Sequence, residues 1–464
     1  MMDGVLKYLG AQQDTSLAEL VAFASIPSVS TDPARKGDVR VAATWLADRL
    51  REAGPLAVEV LETPGHPVVY GEWLGVPDAP TVLVYGHYDV QPPDPLERWA
   101  SPPFAPTVRE GRVYGRGVSD DKGPLLIPVQ VARAFFRTSG ALPLNVKFLF
   151  EGEEEVGSPN LAPFARQHAQ KLRADVVLSA DGGMWRADRP TLTVSARGLA
   201  ALELTLRGPG KDLHSGRHGG AVQNPLHALA SLIASLHDEE GRVAVAGFYD
   251  DVLKLGDEER ANTRDLPFDE DAYQAQIGAP ELFGEVEYST LERQWTRPTV
   301  EVNGMWGGYT GEGSKTVLPS EARAKITCRL VADQDPARIV ELVTRHLQTH
   351  LPPGVTLDVS PGDHGACAYR IPANHPALGA AREVLTEVYG EPPLEVGMGG
   401  SIPICEVFAR ELGLETIFFS FAVGDEDIHA PNEFFRIPRL YEGQRAWALL
   451  WQKLAVQHQE RVPA

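Results

Sequence analysis

Cysteine is scarce and scattered. Three occur among 464 residues, Cys328, Cys367 and Cys405, and no Cys-x-x-Cys spacing is present. That excludes a disulfide framework and a structural zinc knot as organising devices, and an odd, dispersed set fits reduced thiols in a cytoplasm. Basic charge is also short. Lys and Arg number 43 against 63 Asp and Glu, a net charge of −20. No basic cluster is available to meet phosphates, which argues against a nucleic acid or an anionic membrane as partner. No apolar run reaches the length of a membrane span. The start, Met1-Met2-Asp3-Gly4-Val5-Leu6-Lys7, lacks a signal-peptide core. There is no internal repeat, no low-complexity tract and no Gly-x-Ser-x-Gly of a serine hydrolase.

What is present is an ordinary globular composition, 43% hydrophobic and 23% charged. The chain is too long for one core, so two domains are expected. Helical spacing of apolar residues predicts helices over 17–24 and 39–53. Val68-Val69-Tyr70 and Val82-Leu83-Val84 read as neighbouring strands. Residues 124–136 read as a helix, and Asn145-Val-Lys-Phe-Leu-Phe150 and Asp175-Val-Val-Leu-Ser-Ala180 as strands. From 198 the pattern changes: alternation at 202–206 and 322–331 predicts strands, and 224–236 and 338–351 predict helices. This is the order of a small open α/β sandwich inserted in a larger domain, closing near 361–365. Helices at 376–389 and 441–456 and a strand at 416–420 follow.

The strand ends carry the chemistry. In Thr81-Val-Leu-Val-Tyr-Gly-His-Tyr-Asp-Val90 the strand breaks at Gly86, and His87 and Asp89 then point to one side of extended chain. Alone, a strand-end His with a nearby Asp is more often an ordinary hydrogen-bonded surface pair. Gly115-Arg-Gly-Val-Ser-Asp-Asp-Lys-Gly123 can present carboxylates, or can simply cap the helix that follows. Glu151-Gly-Glu-Glu-Glu-Val-Gly-Ser158 can be a solvated charge run. Yet it ends an apolar strand, where open α/β sheets bind ligands and where clustered acids repel. Asp181 ends the next strand, and His429 stands just after the last. Three strands ending in His, Glu and Asp make coincidence a poor account.

These segments carry a resemblance. The blocks Gly86-His-Tyr-Asp-Val-Gln-Pro92, Gly115–Gly123, Glu151–Ser158, Ser179-Ala-Asp-Gly-Gly183, Asp212-Leu-His-Ser-Gly216, Gly399-Gly-Ser-Ile-Pro403 and Asp427-Ile-His-Ala-Pro-Asn432 span the chain. Together they resemble the co-catalytic two-metal peptidase family of carnosine dipeptidases, aminoacylases, carboxypeptidase G and succinyl-diaminopimelate desuccinylase, in the family's order. Gly307-Gly-Tyr-Thr-Gly and Lys315-Thr-Val-Leu-Pro319 resemble its dipeptidase branch.

The resemblance implies an α/β fold. A zinc-peptidase-type catalytic domain, with a mixed sheet between helices, would cover 1–196 and 366–464. A lid or dimerisation domain would be inserted over 197–365. It implies two divalent metal ions per subunit, Zn2+ first, with Mn2+ or Co2+ as alternatives. His87 and Asp181 would hold one and Glu155 and His429 the other; Asp120 would bridge both, and Asp89 would orient His87. Counting back from Gly157-Ser158 makes Glu154 the general base and puts Glu153 where the family often has an apolar residue. His214 would reach the partner subunit's site and stabilise an oxyanion. Arg329 would clamp a substrate carboxylate, Gly400 and Ser401 would bind substrate backbone, and the peptide bond after Asp120 would be cis. The implied reaction is hydrolysis of a peptide bond in dipeptides or short peptides with a free C-terminal carboxylate, by a water between the cations that Glu154 activates. The alternative is an N-acyl-amino-acid deacylase or desuccinylase using the same site. A metal-binding scaffold without catalysis would lack Glu154 or a ligand, and none is missing. A homodimer is implied. The helix at 225–236 points the same way, since its apolar residues cover more than one face; packing within its own domain is the alternative.

Overall fold

Val82, Leu83 and Val84 are wholly buried, with apolar neighbours on both faces. The computed structural model, which describes residues 2–362 and 365–461, shows the sheet that surrounds them. In chain order the principal strands are β1 (Ala57–Leu61), β2 (Val68–Trp73), β3 (Thr81–His87), β4 (Asn145–Glu151), β5 (Val176–Ser179), β6 (Gly198–Arg207), β7 (Thr299–Gly307), β8 (Glu321–Leu330), β9 (Thr356–Pro361) and β10 (Thr416–Phe418). The helices used below are α1 (Gln13–Ala24), α2 (Lys36–Ala53), α3 (Lys122–Ser139), α4 (Pro225–Ala234), α5 (Pro336–Thr349), α6 (Pro376–Tyr389) and α7 (Ile437–Arg461).

The chain divides into two units. The first is Met1–Val194, Ile371–Val396 and Pro403–Ala464; the second is Ser195–Arg370 with Gly397–Ile402. The sequence pattern places 397–402 in the first unit. Its place in the second has a local cause, since Gly397 lies against Trp295 and the Gly399 carbonyl accepts from Arg197 Nε at 2.9 Å. Of the expected close of the insertion at 361–365, Asp363 and His364 lie outside the described residues.

In the first unit the strand order is β1-β2-β4-β3-β5-β10. Strands β4, β3, β5 and β10 run parallel, and β2 and β1 join antiparallel at one edge. The reading of β2 and β3 as neighbours is therefore corrected: β4 lies between them, paired antiparallel to β2 and parallel to β3. All seven residues of β4 are buried, as a central strand requires. Tyr85 meets the Phe408 ring edge-on, while Gly86, one residue on, lies against Leu125 of α3. Helices thus cover both faces. Helix α3 is buried along most of its length and packs on α2 and α7, where Phe135, Trp447 and Trp451 fill the layer.

The second unit has a four-stranded antiparallel sheet in the order β7-β8-β6-β9. In β6 burial alternates, so Ala200, Leu202, Leu204 and Leu206 face α4 and α5 while the other face stays open. Asn224 caps α4 by accepting the Leu226 N–H at 2.9 Å. The surplus apolar surface expected of this helix is absent. Ala228, Leu229, Leu232 and Leu236 enter the core of their own unit, Leu226 and Ile233 pack against it, and His227, Ala230, Ser231 and Ala234 face out. Cys328 and Cys405 are buried thiols and Cys367 is half-buried.

Candidate metal centre

Parallel strands β4, β3 and β5 end side by side, and their carboxyl ends are where such sheets place ligands. His87 is the last residue of β3, and its ring is fully buried. Its Nδ1 is 3.1 Å from the Asp89 carbonyl oxygen and 3.4 Å from Asp89 Oδ1. An Nδ1 facing two oxygens carries hydrogen, so the neutral ring offers its lone pair at Nε2. His87 Nε2 lies 2.9 Å from Asp120 Oδ1 and 4.0 Å from Asp181 Oδ1. Asp181 follows β5 and is steadied by the Gly182 N–H at 2.5 Å.

The other oxygen of Asp120 faces elsewhere. Oδ2 is 2.9 Å from His429 Nε2, which is 3.1 Å from Glu155 Oε2. Two groups of three ligand atoms result, His87–Asp120–Asp181 and Asp120–Glu155–His429, each within 4.8 Å and sharing Asp120. The Asp120–Asp121 peptide bond is cis.

The electrostatics describe a place that gathers positive charge. Burial alone would lower the His87 pKa, but bonds from Asp120 and Asp89 outweigh it and hold it well above the usual value. Bonds from Asp120 and Glu155 raise His429 to about 10. Burial raises Asp181 to about 6. A mixed set of imidazole nitrogens and carboxylate oxygens, with one carboxylate offering each oxygen to a different group, fits a pair of divalent cations such as zinc, or manganese or cobalt.

The run of three glutamates separates by contact. Glu155 joins the second group. Glu153 turns away, and both its carboxylate oxygens accept from Asn160 Nδ2, at 3.1 and 2.8 Å. Glu154 contributes to neither group. Burial pushes its carboxyl well above the usual range, against His87 and with Asp181, Asp120 and Glu155 adding to the rise. The strand-terminal Glu151 also stays out, accepting from the Tyr85 and Ser158 hydroxyls at 2.7 and 2.9 Å.

The expected Asp89 does more than orient His87, and several other supporting residues carry no signal of their own in the sequence. Asp89 accepts the N–H groups of Glu154 and Glu155 at 3.3 and 3.1 Å, so one carboxylate ties His87 to the glutamate turn. Glu433, fully buried, accepts from Arg116 Nη1 at 2.6 Å and from the N–H groups of Gly117, Ser119 and Asp120 at 2.9, 2.9 and 3.2 Å. Glu426, also fully buried, accepts from the Ser119 hydroxyl at 2.5 Å and from the Val423 and Arg436 N–H groups. These two acids flank His429 in sequence and hold the loop that carries Asp120. Gln91 contacts Glu155 through both its backbone and its side chain.

The remaining expected site residues belong to the second unit. Arg329 lies on the open face of its sheet, opposite Leu199 in β6. Burial and the neighbouring Arg329 lower the Arg197 pKa to about 10. Gly400 and Ser401 follow Gly399, which Arg197 holds. His214 is exposed, and its Nδ1 accepts the Gly216 N–H at 3.0 Å, which leaves Nε2 as the donor.

Comparison with known proteins agrees with this geometry. Residues 83–453 match the model of Peptidase family M20/M25/M40. The Cys-Gly metallodipeptidase of Candida albicans is 30% identical over 438 residues, covering 90% of each chain. The Beta-Ala-His dipeptidase of Homo sapiens is 27% identical, covering 99% of this chain and 94% of that one. Among solved structures, an M20 family metallo-carboxypeptidase from Sulfolobus solfataricus superposes with a TM-score of 0.81 at 33% identity, over 95% of this chain and 99% of that one. This chain therefore belongs to peptidase family M20/M25/M40, within its dipeptidase branch, and is a metal-dependent hydrolase.

Proposed function

We propose that the chain hydrolyses the peptide bond of dipeptides and short peptides with a free C-terminal carboxylate, using two divalent cations, zinc first. The observation that carries this is Asp120, whose two oxygens face two different imidazoles, with the charges of both groups acting on the buried Glu154 carboxyl. His87 and Asp181 would hold one cation, Glu155 and His429 the other, and Asp120 both. When bound, such cations polarise a scissile carbonyl and acidify the attacking water. Glu154, a buried carboxyl that belongs to neither ligand group, is the proton carrier: it takes the proton of the attacking water and passes it to the leaving amine. Arg329 offers a planar fork for the substrate carboxylate, and Gly400 and Ser401 hold its backbone. His214 donates from Nε2 to the developing oxyanion.

The working form is a homodimer in which His214 serves the neighbouring subunit's site. Support comes from β7, an edge strand whose Val302, Met305 and Trp306 are exposed, rather than from α4. The scattered thiols fit a cytoplasmic protein.

The test is a panel of dipeptides and N-acyl amino acids with zinc, manganese and cobalt. Chelator-treated protein should lose hydrolysis, keep its far-UV circular dichroism and recover when metal returns, because the sheet has its own core. Glu154→Gln should keep metal and lose turnover by about 10²–10⁴-fold or more. Full hydrolysis by metal-free protein defeats the proposal, and activity confined to N-acyl amino acids replaces the peptidase with a deacylase. Mixing His214→Ala with Glu154→Gln subunits should restore activity; exchange without recovery removes the trans role.

A further inference from the structure

The two halves of the centre are not held alike. His87 and Asp181 come from adjacent strand ends, and the His87 ring is buried and pinned at Nδ1. His429 is on a loop with its side chain half exposed, and only Glu155 gives the second half a buried ligand. What fixes Glu155 is Gln91. The Gln91 backbone N–H donates to Glu155 Oε1 at 3.1 Å, and Gln91 Nε2 donates to Oε2 at 2.8 Å and to the Glu155 carbonyl at 3.2 Å. Both carboxylate oxygens thus carry a Gln91 hydrogen, while Oε2 also faces His429 Nε2.

We infer that Gln91 is a positioning residue that sets the affinity of the second cation, through its grip on Glu155. The inference rests on the reading of Glu155 as a ligand. Three physical consequences follow from the contacts. The grip removes the rotamer freedom that a glutamate otherwise loses on ligating a cation. It turns Oε1 toward the Gln91 N–H and Oε2 toward His429 and Asp120, which favours ligation through one oxygen. It also draws electron density from Oε2, so Gln91 tunes donor strength as well as direction. Residue 91 sits two positions after Asp89, whose carboxylate holds the Glu155 N–H. One short stretch after β3 therefore orients a ligand of each half: Asp89 for His87, and Gln91 for Glu155.

The experiment is a titration of the chelator-stripped full-length chain with Co2+, followed by its visible absorption and by competition with a chromophoric chelator. Gln91→Met keeps the length of the side chain and deletes both Nε2 bonds; Gln91→Glu keeps the shape and replaces the donor with an acceptor. Wild type should bind in two steps. Both variants should weaken the second step by about 10–100-fold, the size usual for an outer partner of a metal ligand, and leave the first within about threefold. Glu155→Gln is the control for the underlying reading and should remove the second step. If Glu155→Gln binds two Co2+ as wild type does, the assignment of Glu155 is what fails. If Glu155→Gln loses the second step while Gln91→Met and Gln91→Glu keep it, Gln91 does not position Glu155. Equal weakening of both steps, or an altered far-UV spectrum in both Gln91 variants, marks a general structural role and also overturns the inference.

Discussion

The inner group, His87–Asp120–Asp181, and the outer group, Asp120–Glu155–His429, use the same ligand types and differ in what presents them. The inner imidazole ends a central strand and is fully buried, whereas the outer one is half exposed on a loop. That loop is unusual backbone. Asp427, His429 and Asn432 have φ of 52°, 61° and 68°, a left-handed region that L-residues rarely occupy. Each such residue costs roughly 1–2 kcal/mol, so the surroundings must impose the conformation. Glu426 and Glu433 do so, one on each side of His429, by accepting hydrogen bonds from the loop that carries Asp120. A sheet can aim a ligand with its own ladder of hydrogen bonds, whereas a loop needs buried carboxylates to do it. The difference gives a reason for burying two acids, Glu426 and Glu433, that belong to neither group.

Removing what the halves share should have the largest effect. Asp120→Asn weakens a carboxylate that faces both imidazoles. Co2+ titration should show both steps impaired, and hydrolysis should fall by more than the ~10²–10⁴-fold owed to a single general base. Loss of only one step would mean that Asp120 serves one half alone.

A smaller effect should separate the halves. Glu433→Gln removes the charge that pairs with buried Arg116 and weakens the acceptor for three backbone N–H groups. Unpairing a buried charge destabilises by roughly 3–5 kcal/mol. Amide exchange should accelerate at Gly117, Ser119 and Asp120 but not in β3. Metal affinity should drop by about 10–100-fold. Uniform exchange rates across both regions would erase the contrast between strand-held and loop-held ligands.

The smallest effect concerns the outer loop alone. Asn432 accepts the Ala100 N–H at 2.8 Å and donates to the Arg98 carbonyl at 3.0 Å. Asn432→Gly loses both bonds but suits a positive φ; Asn432→Ala loses the bonds and adds strain. Thermal melting of the two variants should rank Gly above Ala, with a gap of about 1 kcal/mol. The reverse order would show that the left-handed conformation at 432 is not imposed.

Much of the centre is legible in the amino-acid order alone, because ligand chemistry is local. His87, Asp120, Asp181, Glu155 and His429 stand in short blocks at expected strand ends, and the fold brings these five together. Gln91 stands inside one of these blocks and Glu433 just past another, without any mark of their role. A glutamine after a His-Tyr-Asp reads as a loop residue, and a lone glutamate after a Pro-Asn reads as a surface charge. The helix at 225–236 shows the opposite failure: its apolar count suggests a partner, yet the core of its own unit absorbs it.

By itself the sequence determined the elements and the chemical groups, since apolar periodicity and side-chain type act over a few residues. Val82-Leu83-Val84 had to be a buried strand, and a chain with these carboxylates and imidazoles at strand ends had to favour cations. Only the tertiary structure decided that β4 separates β2 from β3, that Glu153 turns to Asn160 while Glu155 turns to His429, and that Glu433 anchors Asp120 from 313 residues away. Those outcomes depend on pairing and burial between distant segments. No local pattern encodes them, because the energy of a buried hydrogen bond is set by the partner that folding brings to it.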